Sequence, residues 1–128
     1  MAERRVFRTR TFSRWSRRVG LSDDALCDAI EEMAQGLIDA DLGGHVVKKR
    51  VAIPGQGKRG GVRTLVATRL AQRWFFVFGF RKNERGNVTE AEWKALQELA
   101  KELLSLESRG LIRALAAGEI VEICDGIT

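Results

Sequence analysis

Residues 45–81 read HVVKKRVAIPGQGKRGGVRTLVATRLAQRWFFVFGFR. Three apolar runs parted by two short breaks make up this stretch, and that division decides the fold. HVVKKRVAI (45–53) is a strand interrupted by three consecutive cations and closed by Pro54. GQGKRGG forms a glycine-rich loop, GVRTLVATR (61–69) a second strand, and Leu70–Gln72 a tight turn into RWFFVFGFR (73–81). In the third run Trp74, Phe76, Phe78 and Phe80 alternate with Phe75 and Val77, so both faces are apolar, as in a central strand. Connections this short make the runs an antiparallel meander.

On either side the apolar period becomes helical. Thr11 caps a short helix with Phe12, Trp15 and Val19 on its apolar side, ending at Gly20. Ser22 caps a second, with Asp23 and Asp24 near the positive end of its dipole. Its stripe is Leu26, Ile30, Met33 and Leu37, and Gly43 and Gly44 stop it. Thr89 and Glu92 form a capping-box signature for a helix to about Leu106, lined by Trp93, Leu96, Leu99 or Ala100, and Leu103. SRGLIRALAA (108–117) reads as a further short helix, EIVEI (119–123) as a last strand, and Val6–Phe7 as a short strand with a charged edge. Neither repeat nor linker interrupts residues 1–128, which read as one domain. The class is α+β: a small antiparallel sheet, the meander plus the N-terminal strand, packed with two N-terminal helices and a C-terminal helix.

A hydrophobic share of 45% with 30% charged residues excludes a disordered chain. No apolar window is long enough for a membrane span, and MAERRVFRTR lacks a signal core, so the expected location is cytoplasmic. Cys27 and Cys124 match no metal-ligand spacing and read as reduced, structural thiols. The net charge of +5 conceals segregated blocks: +6 over residues 1–20, −7 over 21–45, +10 over 46–85 and −4 over 86–128. The acidic blocks read as solvated faces, whereas +10 over forty residues favours a polyanionic partner.

Where those cations meet is set by the meander. Lys48, Lys49 and Arg50 lie on its first strand, Arg63 opens the second behind Lys58 and Arg59, and Arg81, Lys82 and Arg85 follow the third. Antiparallel pairing brings the end of the third strand beside the start of the second, making Arg63 a neighbour of Lys82 and Arg85. The convergence predicts a phosphate-binding groove, with arginine forks as clamps and a crowded lysine as general base. Other chemistries fit worse. His45 is the sole histidine, which excludes a two-histidine nuclease or multi-histidine metal site, and reads as a loop residue. Asp39 and Asp41 lack a third carboxylate, so no metal and no cofactor is expected. GQGKRGG lacks the GxxxxGK[ST] pattern and opens a strand, which rules out a nucleoside triphosphate loop. The aromatics of RWFFVFGF read as core.

VFRTRTFSRW, LSDDALCDAIEEMAQGLIDADLGG, VKKRVAIPGQGKRGGVRTLVA and FGFRKNERGNVTEAEWKALQELAKELL together cover most of residues 6–104. In these segments the chain resembles the RelE family of bacterial toxins, and more closely its HigB-like branch. The resemblance implies a ribosome-dependent, metal-independent mRNA endonuclease held inactive by a cognate antitoxin. Arg63 would then contact the scissile phosphate, Lys48 or Lys49 serve as base, and Lys82 and Arg85 complete the basic segment after the meander. Asn83 stands at one alignment position of the phosphate-binding arginine, and Thr89 occupies the region where relatives carry a tyrosine, of which this chain has none. Arg14, Arg17, Arg18, Arg50, Lys58, Arg59 and Arg81 would hold messenger and ribosomal RNA, phosphate contacts that position without reading sequence. Two alternatives are a ParE-like gyrase inhibitor on the same fold and a non-catalytic nucleic-acid-binding module.

Overall fold

The computed structural model describes residues 4–124 except 54, 56, 70 and 71, and leaves out the side chains of 57–60. Its spine is a six-stranded sheet. The meander is formed by β3 (Val46–Ile53), β4 (Gly57–Arg69) and β5 (Arg73–Arg81). β1 (Arg5–Thr9) adds parallel to β5, β6 (Ile120–Ile123) runs antiparallel beyond β1, and β2 (Ala40–Gly43) pairs with the outer side of β3. The order is therefore β2-β3-β4-β5-β1-β6.

Helices cover both faces. α1 (Arg10–Val19) and α2 (Asp23–Ala34) pack on one, around Phe12, Leu26, Ile30, Met33, Val62, Val66, Trp74 and Phe76. α3 (Glu90–Leu104) and α4 (Ser108–Ala116) cover the other, around Phe7, Leu65, Phe75, Leu96, Ala100, Leu103 and Leu111. Two apolar faces on β5 thus feed two cores, and Phe7 stacks on Phe75 at 4.9 Å between β1 and β5. Side-chain caps start three of the helices: Thr9 for α1, Ser22 for α2, and Thr89 with Glu92 in a complete capping box for α3.

Five sequence expectations change. Thr9, two residues earlier than Thr11, caps α1, because the helix begins directly at the end of β1. The second helix ends at Ala34, since Gly36 turns left-handed (φ 93°) and leaves Leu37 56% exposed instead of in the stripe. Residues 57–60 belong to β4: Ile53 pairs with Gly57, so the glycine-rich stretch is strand rather than loop. Val6 and Phe7 lie inside the sheet, flanked by β5 and β6, and are almost fully buried instead of sitting on an edge. Cys27 and Cys124 are joined in a disulfide with Cα atoms 5.6 Å apart. The separation of 97 residues hid this, because α2 packs where β6 ends and brings the two together in space. One element was not foreseen, β2, whereas α4 and β6 stand where the further short helix and last strand were expected.

Candidate phosphate-binding site on the α3 face of the sheet

Strand register sorts the cations of the meander by face. Lys48 pairs with Leu65, Arg50 with Arg63, and Arg63 with Phe80. Leu65 belongs to the core under α3, and side chains alternate along a strand, so Lys48, Arg50, Arg63, Phe78 and Phe80 share that face. Lys49 and Arg81 point to the opposite face. Lys49 is only 5% exposed; its Nζ donates to the Leu37 carbonyl at 2.9 Å and pairs with Glu32 at 2.7 Å. It is held in place by the α2 side of the fold and does not join Arg63. Arg81 is half-buried opposite Val62.

Arg85 returns to the α3 face by another route. It lies in the segment after β5, and its guanidinium sits over the rings of Phe78 and Phe80 at 5.5 and 5.9 Å. Its Nη1 donates to Glu92 Oε1 at 2.5 Å, while the same oxygen accepts from the Thr89 amide at 2.8 Å. The Arg85 hydrogen bond, followed by that backbone donor, holds the Glu92 carboxyl down at about 2. A flat guanidinium gripped at one edge and stacked on two aromatic rings is preorganised, with its other donors left for a ligand. Lys82 is exposed in the turn just after β5.

Arg63 is the centre of the arrangement. It is half-buried, Arg50 stands beside it on β3 and Phe80 on β5, and its Nη1 is buried with no hydrogen-bond partner among the described residues. An unpaired buried donor costs free energy, so such groups are normally satisfied. Arg50 itself is anchored: Asp39 accepts from its amide at 2.5 Å and faces its Nε at 3.7 Å. The site can therefore offer an anion one orphaned guanidinium nitrogen, a stacked arginine, a partly neutralised arginine and two lysines. No group of three or more potential metal ligands occurs among the described residues.

A family model described as the RelE toxin of the RelE / RelB toxin–antitoxin system matches residues 4–123. The chain belongs to the RelE toxin family. It is accordingly the toxin of a toxin–antitoxin pair, a class of ribonuclease toxins with an antitoxin as partner. A search of curated proteins finds no match. No helix among the described residues is long and apolar enough to cross a membrane.

In this RelE toxin the N-terminal arginines divide. Arg4 pairs with Glu31, Arg5 with Glu122 and Arg8 with Asp23, so much of the first basic block is neutralised inside the fold. Arg10 donates to the Ala117 and Gly118 carbonyls at the end of α4. Arg14, Arg17 and Arg18 remain exposed on α1, the helix of the opposite face; Arg14 reaches the mouth of the apolar groove between α3 and α4. The side chains of Lys58 and Arg59 lie outside the described residues. Sequence reasoning missed Phe78 and Phe80 as the bed of Arg85, reading them only as core, and read Glu92 only as a cap. The spacing of Arg85 and Glu92 across the α3 cap was the available signal. Thr89 acts as that cap, accepting from the Glu92 amide at 3.1 Å.

Proposed function

We propose that this RelE toxin is a metal-independent endoribonuclease that cuts messenger RNA at the ribosomal A site. The orphaned Nη1 of Arg63, buried beside Arg50 and Phe80, carries the reading: its missing acceptor is supplied by a scissile phosphate. Arg63 and Arg85 grip the non-bridging oxygens and stabilise the charge that builds on them. Lys48, on the same face, takes the proton of the adjacent 2′-hydroxyl. The 2′ oxygen then bonds to phosphorus, the bond to the 5′ oxygen breaks, and Lys82 at the strand end returns a proton to the leaving oxygen. The products are a 2′,3′-cyclic phosphate and a 5′-hydroxyl. Lys49, fixed to Glu32 on the far face, has no part in this step.

Purified bacterial ribosomes carrying a defined message test the reading, with EDTA-treated wild type beside Arg63→Ala and Lys48→Ala, and cuts mapped by primer extension. Cuts at A-site codons by wild type, reduced at least about a hundredfold in Arg63→Ala, are expected from the loss of a charge-stabilising group. An intact message with folded wild type rejects nuclease action and turns attention to gyrase and to binding without cleavage.

A further inference from the structure

A second basic hollow lies along the same helix. It opens between the β2–β3 turn and the flank of α3, has a volume of about 600 Å³, and is lined by Gly44, His45, Arg69, Lys94, Glu98 and Lys101 among others. Arg69 is six residues along β4 from Arg63, roughly 20 Å at the strand rise. The hollow is therefore distinct from the site around Arg63.

Its walls are fixed by backbone. Gly43, Gly44 and His45 are successive left-handed residues (φ 81°, 61° and 65°), a conformation unfavourable for histidine. The His45 carbonyl accepts from the Thr68 amide at 3.0 Å, pinning the turn to β4. Gly44 lies so close to α3 that a Cβ there would meet Gln97 Nε2 at 2.4 Å, so the turn rests directly on the helix. Against these walls stand Arg69, Lys94 and Lys101, all exposed and forming no ion pair among the described residues. Glu98 is the one carboxylate in the lining. Arg4, Arg5, Arg8 and Lys49, by contrast, are paired with carboxylates of the fold. Three left unpaired around a preformed hollow are arranged for an external polyanion.

The two sites are also connected. Beyond His45, the α3-facing side of β3 presents Lys48 and then Arg50 at two-residue steps of about 6.8 Å, leading to Arg63 across the ladder. We propose that this hollow is a second phosphate-backbone site, holding RNA that flanks the cut while Lys48 and Arg50 bridge to Arg63. The choice of RNA rests on the nuclease reading above; the ligand chemistry, a run of phosphodiesters, comes from the charges themselves. The strand can belong to the message or to ribosomal RNA.

Binding, rather than cleavage, tests it. Fluorescence anisotropy with a 2′-O-methyl oligoribonucleotide of about twelve nucleotides, which cannot be cut, is measured over a salt series. Co-sedimentation with vacant ribosomes supplies the second polyanion. The variants are Arg69→Gln/Lys94→Gln/Lys101→Gln together, and Glu98→Gln; thermal melts confirm that both are folded. The triple variant should lose about tenfold or more in affinity, and its salt slope should fall by about two, at roughly 0.7 per phosphate contact on a single strand. Glu98→Gln should bind tighter. A loss confined to the oligonucleotide assigns the hollow to the message, and a loss confined to vacant ribosomes assigns it to ribosomal RNA. Unchanged binding in both, or no binding by wild type, overturns the proposal. Wild type that binds through these residues yet leaves messages intact refutes the nuclease reading and leaves this site standing.

Discussion

Gly61 offers a clean test of how the site is built. A Cβ at this position would lie 2.2 Å from the Val51 carbonyl oxygen, 3.0 Å from its carbon and 3.1 Å from Ala52 Cα. All three are backbone atoms of β3, next to the register shift between Val51 and Ile53, so none can swing aside as a side chain would. Gly61→Ala has two opposed effects. Removing a glycine restricts the unfolded chain and stabilises by about 0.4–1 kcal/mol. Forcing β3 away from β4 costs about 1–3 kcal/mol in overpacking, plus about 1 kcal/mol for each ladder hydrogen bond lost near Val62. The clash wins, by about 2 kcal/mol net. For a chain of 128 residues that lowers the melting temperature by about 8 °C. Because Arg63 follows two residues later, cleavage and RNA binding should fall with it. Circular dichroism melts of wild type and Gly61→Ala decide the matter. A melting temperature equal to or above wild type would refute the claim that this glycine exists to let two strands approach.

Two further outcomes follow from the ion pairs and the covalent link. The Cys27–Cys124 disulfide closes a loop of 97 residues, a constraint of up to about 4.7 kcal/mol on the unfolded chain, so reductant should lower the melting temperature by about 10–15 °C. The Cys27→Ser/Cys124→Ser double variant should melt at the reduced wild-type temperature and ignore reductant, and coincident melts of oxidised and reduced wild type would contradict this. The Glu92 carboxyl, held at about 2 by Arg85, lies below its unfolded value of about 4.3, so the pair contributes in full above that value and is lost as pH falls toward 2. Wild type should therefore exceed Arg85→Gln in stability by a margin that is constant from pH 5 upward and shrinks below it; a margin independent of pH would be incompatible with the pairing.

The meander was legible because each strand carries a strong local signal, and the α3 cap because Thr89 and Glu92 sit at a fixed interval. Register then followed from short connections, which is why Arg63, Arg50 and Lys48 could be expected together. What failed was whatever depends on a distant neighbour. Lys48 and Lys49 look alike in a row of cations, and only the position of Glu32 on α2 shows that Lys49 is inward and neutralised. Leu37 continued a helical stripe that Gly36 ends. Ala40–Gly43 contains no β-branched residue and becomes a strand only because β3 presents a free edge. The glycine-rich stretch 55–61 read as a loop, whereas Gly61 answers to the backbone of β3. The two cysteines carry no local mark of their pairing at all.

The place of β1 in the sheet sets the order in which a newly made chain can become this molecule. Arg5 pairs with Arg73 and Val6 with Ile123, so β1 has no partner until β5 is made and no second one until β6 follows. The hairpins of β3, β4 and β5 close locally, but the core beneath α3 also needs Phe7 and Ile120, one from each end. Such long-range pairing is slow, and here it waits for elongation to pass residue 120. A nascent toxin therefore stays unfinished until β6 is made, because the core beneath α3 lacks Ile120 until then.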